Sequence, residues 1–244
     1  MSIKSVLLSL IFGILLCSSS FANIRVGTLY FYPPFILSEN EGFDIELLEL
    51  VCQKLKQECD LVPMSLNQLY TGLNEDKIDI AIGGIAIPTA PDPVYIYSLP
   101  YLLSKGQFMT LKGGTVNSIS DLNGTAVGVI YDTEDGGSFY NYLQSTYTGK
   151  FHLKFYNNVA DLVNALNNKV ISAAFLHRSS VNYWVQNSDN DFKRLGADVT
   201  IGDGIGIMAL PKNQALIDQI NLVLQQLAKE NLYLQLYNTY FPDE

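Results

Sequence analysis

Short apolar runs alternate with amphipathic segments along almost the whole chain, and this alternation constrains the fold more than any single motif. Ile24–Leu29, Cys59–Pro63 and Ile78–Ile82 read as strands, separated by helices over Asp44–Lys56 and Leu66–Asn74 whose apolar residues recur at helical spacing. A second series follows, with strands at Gln107–Leu111, Ala126–Ile130, Leu153–Tyr156 and Ala173–Leu176 and helices at Ser138–Ser145 and Val159–Asn167. Strands that alternate with crossover helices build a mainly parallel sheet with helices on its faces, so two such series predict an α/β chain of two lobes. The chain closes with a strand at Ile205–Leu210 and a helical region over Gln214–Tyr240 that carries a turn signal at Glu230-Asn231. No low-complexity linker separates the series. Short strand-like crossings are therefore expected at Leu103–Gln107 and at Asp203–Gly206, giving one lobe of residues 23–103 plus 206–244 and another of 104–205.

Residues 1–22 stand outside this pattern. An apolar run from Val6 to Leu16 follows Lys4, and the stretch ends Ser18-Ser19-Ser20-Phe21-Ala22, the layout of a secretory signal with small residues at the cleavage site. The run is shorter than the 18 or so residues a membrane span needs. Cleavage is expected after Ala22, releasing an exported protein with no stable membrane insertion; Leu16 before Cys17 argues against a lipid anchor. The whole chain carries 15 Lys+Arg against 24 Asp+Glu, net −9, and removal of the leader takes away Lys4 and no acid. Scattered basic residues on an acidic chain offer nothing to nucleic acid or to anionic lipid.

Export leaves Cys52 and Cys59, an even pair in an oxidising compartment. Their C-x6-C spacing is neither that of a thioredoxin motif nor of a zinc site, since His152 and His177 are the only histidines. A structural disulfide is the expected reading, pinning the end of the first helix to the next strand; no metal and no cofactor are expected.

A family resemblance rests on the order of several short landmarks. Ile24-Arg25-Val26-Gly27-Thr28, Tyr32-Pro33-Pro34-Phe35, Gly42-Phe43-Asp44-Ile45, Lys77-Ile78-Asp79-Ile80, Tyr97-Ser98-Leu99-Pro100-Tyr101, Ser120-Asp121-Leu122-Asn123-Gly124 and the closing Asn231-Leu232-Tyr233 through Tyr240-Phe241 resemble those of family 3 periplasmic solute-binding proteins. The Cys52–Cys59 segment is similar to the disulfide segment of the histidine-binding and lysine/arginine/ornithine-binding members. The resemblance implies the type II periplasmic binding fold, two lobes hinged over a ligand, and a partnership with the permease of an ABC importer, the chain itself being a monomer and not an enzyme. It also implies an aromatic at Tyr32, a shelf at Gly83–Pro88, and a helix N-terminus near Thr133-Glu134.

Against that pattern the sequence departs where the ligand's ends would be held. The position of the arginine that grips an α-carboxylate is Pro91, the position of the acid that meets the α-amino group is His177, and shelf positions that often carry hydroxyls are Gly84 and Ala86. Arg178 beside His177, and Lys105, are the alternative carboxylate donors. Tyr30, Tyr32, Phe35 and Tyr101 could form an aromatic wall for a cation, and Thr133, Glu134 and Asp135 would add a hydroxyl and two acids, although acids in a first helical turn are also favoured by the helix dipole alone. The expected ligand is a polar, basic amino acid, with arginine favoured. Two alternatives stand beside it: a sensing or binding domain for an amine or other non-amino-acid ligand, motivated by Pro91, and a cyclohexadienyl dehydratase-like enzyme, which lacks the cation it would need. No phosphate loop, H-E-x-x-H or G-x-S-x-G motif is present.

Overall fold

The computed structural model describes residues 23–131, 137–189 and 191–242. Two five-stranded sheets form, each with flanking helices. The first contains β1 (Ile24–Leu29), β2 (Cys59–Met64), β3 (Ile80–Ala81), β4 (Ile96–Tyr97) and β10 (Met208–Ala209), in the order β2-β1-β3-β10-β4. The second contains β5 (Lys105–Leu111), β6 (Ala126–Ile130), β7 (His152–Tyr156), β8 (Ala173–His177) and β9 (Phe192–Thr200), in the order β7-β6-β8-β5-β9. Each sheet is parallel through one half, where helices make the crossovers, and antiparallel through the other. The antiparallel strands, β10 and β5, are the ones that follow directly on a passage between the sheets.

The helices are α1 (Phe43–Leu55), α2 (Leu66–Asn74), α3 (Gly137–Thr146), α4 (Val159–Asn167), α5 (Arg178–Asn187), α6 (Gln214–Lys229) and α7 (Leu232–Tyr240). In α1, Phe43, Ile45, Leu47, Leu48 and Val51 are buried on one stripe, and Lys56 in the left-handed conformation ends the helix. Cys52, in its last turn, is bonded to Cys59 at the start of β2, with Cα atoms 6.2 Å apart, so the helix end is tied to the neighbouring strand as expected. The C-terminal helical region splits at Asn231, whose φ of 58° separates α6 from α7. The two-residue strand β4, helix α5 and strand β9 are absent from the sequence reading. Helix α5 follows β8 without a loop, and β9 pairs only with β5, at the sheet edge, where Phe192 and Leu195 alone are buried. An edge strand with mostly exposed side chains has no apolar alternation to betray it.

The two passages between the sheets lie side by side. Ile205 N–H donates to Leu102 O at 2.8 Å, Tyr101 N–H to Ile205 O at 2.9 Å and Ile201 N–H to Ser104 O at 3.0 Å. Ile205 also bridges Ala86, so the return passage is stitched to the segment after β3. Among the described residues no helix is long and apolar enough to cross a membrane, and no group of three His, Cys, Asp or Glu could hold a metal ion.

Candidate functional site

A cavity of about 320 Å³ lies between the two sheets, at the carboxyl ends of their parallel strands. The first sheet contributes the end of β1 with Tyr30–Tyr32, the β2–α2 corner with Tyr70, and Gly83–Ala86 after β3. The second contributes Ile130 at the end of β6, Phe139 of α3, the β7–α4 corner at Asn157–Ala160, and Phe175 and His177 of β8. Parallel strands all point their carboxyl ends the same way, which makes this edge the natural ligand crevice of an α/β sheet.

Of the residues singled out from sequence, Tyr30, Tyr32, Gly84, Ala86 and His177 line this cavity together. Tyr30 is 64% exposed at the rim, whereas Tyr32 is buried against Phe35, with ring centroids 5.5 Å apart. Phe35 is fully buried behind it. Gly84 is glycine for two reasons: its φ is +66°, and a Cβ there would fall 2.9 Å from the Phe35 ring. The missing shelf hydroxyl at this position is thus a packing requirement of the aromatic wall.

Tyr101 and Arg178 lie elsewhere. Tyr101 is buried behind the shelf, where its hydroxyl donates to Asp44 Oδ2 at 2.9 Å. Arg178 starts α5 and donates to Asp198 at 3.1 Å, and Lys105 shares the same carboxylate at 2.9 Å, so both alternative carboxylate donors are committed to an acid. Both Tyr101 and Arg178 line a second groove on the side of the inter-sheet passages. Pro91 is exposed. Thr133, Glu134 and Asp135 lie outside the described residues.

His177 has the most constrained chemistry in the cavity. Its Nε2 is 2.9 Å from Gly84 O, and because a carbonyl only accepts, the ring carries its proton on Nε2. Nδ1 is then a bare acceptor, and it is buried with no partner. The imidazole is enclosed by Phe139, Phe35 and Tyr32, at centroid distances of 4.5, 5.2 and 6.0 Å. Burial pushes its pKa down to about 4, against the opposing effect of the Gly84 bond, so the ring is neutral at physiological pH. Gly84 also donates its N–H to Asp44 Oδ2 at 2.7 Å. Burial raises the Asp44 pKa to about 7, although the bonds from Gly84 and Tyr101 pull the other way, and Asp44 Oδ1 has no partner. A further contact joins the two sheets beside the cavity: Ser180 Oγ, on α5, donates to Pro33 O at 2.6 Å.

Sequence reasoning missed the far end of the cavity. Met64, Leu66 and Val159 face it from the two strand–helix corners, where Ser65 and Asn158 act as helix N-caps. The caps were visible as S/N residues before amphipathic helices, but that two such corners from different sheets face one space is a consequence of topology alone.

The sequence matches the bacterial extracellular solute-binding proteins, family 3, over residues 24–243. The chain belongs to this family. It is 25% identical to the ABC transporter arginine-binding protein 1 of Escherichia coli K12 over 98% of this chain and 99% of the relative. It is 26% identical to the lysine/arginine/ornithine-binding periplasmic protein of the same organism, over 98% of this chain and 96% of the relative. Among solved structures, an arginine third transport system periplasmic binding protein from Legionella pneumophila superimposes with a TM-score of 0.84 at 27% identity, covering 91% of this chain and all of the other. The architecture is the type II periplasmic binding fold, and the family is one of binding proteins rather than enzymes.

Proposed function

We propose that this family 3 protein captures a small amine in the cleft between its sheets and presents it to the permease of an ABC importer, and that the amine is held without an α-carboxylate clamp. The observation that carries this reading is the lining of the cavity. Among its described residues there is no Lys, Arg, Asp or Glu, while three tyrosines and three phenylalanines supply aromatic surface. A neutral imidazole does not repel a cation, and aromatic faces attract one. A carboxylate would have to leave water without a cationic partner, a costly transfer.

In this reading residues 1–22 are a signal removed after Ala22 in export to the periplasm, which the family match beginning at residue 24 supports. Residues 23–103 plus 206–244 and 104–205 are the two lobes, hinged where the passages pair, and closure is favoured because the ligand touches both lobes at once.

A second reading is a basic amino acid, arginine first. It is favoured by full-length relatives named as arginine-binding proteins. Arginine and agmatine separate the two, because they differ only in the carboxylate. A ligand at 1 mM with micromolar affinity stabilises the folded state by about 4 kcal/mol, which a thermal-shift measurement on the mature protein registers at once. Agmatine is expected to shift the melting temperature more than arginine; arginine displacing agmatine would decide for the second reading.

A further inference from the structure

We infer that His177 and Ser180 form a latch that holds the two lobes together through bonds of the protein to itself. This rests on the reading of residues 23–103 plus 206–244 and 104–205 as hinged lobes, and adds what sets their closure.

Strand β8 runs into α5 without a loop, so His177, at the helix N-cap, and Ser180, in its first turn, belong to one unit of the second lobe. Each reaches a main-chain carbonyl of the first lobe: His177 Nε2 donates to Gly84 O at 2.9 Å, and Ser180 Oγ donates to Pro33 O at 2.6 Å. Both side chains are out of water, at 2% and 0% exposure. Rings of the two lobes meet beside these bonds. The His177 and Phe35 centroids are 5.2 Å apart, and Trp184, one turn further along α5, stands edge-on to Phe31 at 6.3 Å. The position at which the family resemblance implies an acid for the ligand's amino group is thus turned to the opposite lobe's backbone.

Such bonds make closure steep. A hydrogen bond fails once its heavy atoms part beyond about 3.5 Å, so a rotation about the passages that carries the start of α5 by about 1 Å breaks both. If a donor is deleted and the lobes stay together, a carbonyl remains buried without a partner; if they part, water satisfies it. Deleting either donor should therefore raise the open-to-closed ratio about tenfold. A latch that populates the closed arrangement in advance also relieves the ligand of that work, because apparent affinity scales with the fraction of protein already competent.

The test uses the mature protein, stripped of co-purified solute by unfolding in urea and refolding, with solution scattering and fluorescence as readouts. Trp184 is the chain's only tryptophan and its Nε1 is buried, so its emission reports the contact with the first lobe. Ser180→Ala and His177→Phe are each expected to enlarge the radius of gyration, shift Trp184 emission to the red and increase its quenching by acrylamide, with far-ultraviolet circular dichroism that of the parent; the double variant should go furthest. If His177→Phe does not keep the parent's dichroism, Ser180→Ala decides. Variants as compact as the parent, or a parent as open as the double variant, overturn the latch. Ser180→Trp, a wedge against Pro33, tests the hinge separately. Expansion in the wedge but not in the other variants overturns the latch and leaves the hinged lobes standing, whereas a wedge variant with the parent's dichroism and radius overturns both.

Discussion

Two buried groups that share Gly84 should impose opposite pH dependences on stability, and a single substitution should expose either one. His177 titrates near 4 in the folded protein against 6.5 when exposed. The unfolded chain therefore binds the extra proton between those values, so this group's contribution to stability rises with pH through that window and is complete above 6.5. Asp44 titrates near 7 in the fold against 3.8 when exposed. Here the folded state holds the extra proton, so its contribution falls as pH rises from about 4 to about 7. Each slope is about 1.4 kcal/mol per pH unit. Between pH 5 and 6.5 they oppose and cancel, and the parent protein should be nearly level there. The carboxylates paired on the surface, Asp76, Asp79, Asp198 and Glu230, are all held below their ordinary values, so their losses come at more acid pH. In Asp44→Asn only the histidine slope remains, and stability should climb by about 2 kcal/mol from pH 5 to 6.5 and then level. In His177→Phe stability should instead fall by about 3 kcal/mol from pH 5 to 7. Urea unfolding at half-unit steps from pH 5 to 7.5 gives all three curves. A level Asp44→Asn curve between pH 5 and 6.5 would refute the reasoning, because it would mean that protons reach His177 in the folded state at no cost.

The Cys52–Cys59 bridge closes a short loop, with a sequence separation of 7, and the chain-entropy relation puts its contribution at about 2.5 kcal/mol; Cys52→Ser with Cys59→Ser should lower the urea midpoint accordingly, with ligand affinity unchanged because neither residue lines the cleft. Ser180→Ala leaves the Pro33 carbonyl without its buried donor, a loss of about 1–3 kcal/mol. Because that bond joins α5 to the segment after β1 across the two sheets, the ligand-free variant should also show a larger radius of gyration in solution scattering; an unchanged radius would mean that the contact does not restrain the lobes.

Much of the fold is readable along the chain because its signals are local. The apolar stripe of α1, the alternation of strands and helices, the turn at Asn231 and the paired cysteines each depend on residues a few positions apart, and the structure places those elements within three residues of the sequence reading. Helix α5 and strand β9 were illegible, since α5 abuts β8 without a break and β9 gains its order from one neighbour, β5. The site divides in the same way. Tyr32, Gly84, Ala86 and His177 could be picked out by their landmarks, but Tyr101 and Arg178 sit in equally promising sequence and are turned away, one to Asp44 and one to Asp198.

The sequence by itself determined an exported α/β chain of two series, cross-linked once, with a proline and a histidine where a zwitterion's partners were expected. Only the tertiary structure decided which of the two reaches the cleft: among the lining residues His177 is present and Pro91 is not. A side chain's hydrogen-bonding capacity is a property of the residue, but whether that capacity is spent is a property of its neighbours. Gly84, 93 positions away, takes the proton side of His177 and leaves the other nitrogen bare; Asp161 uses up Asn158; Phe35 forbids a side chain at Gly84. The lining of the cleft exists only once those contacts have formed.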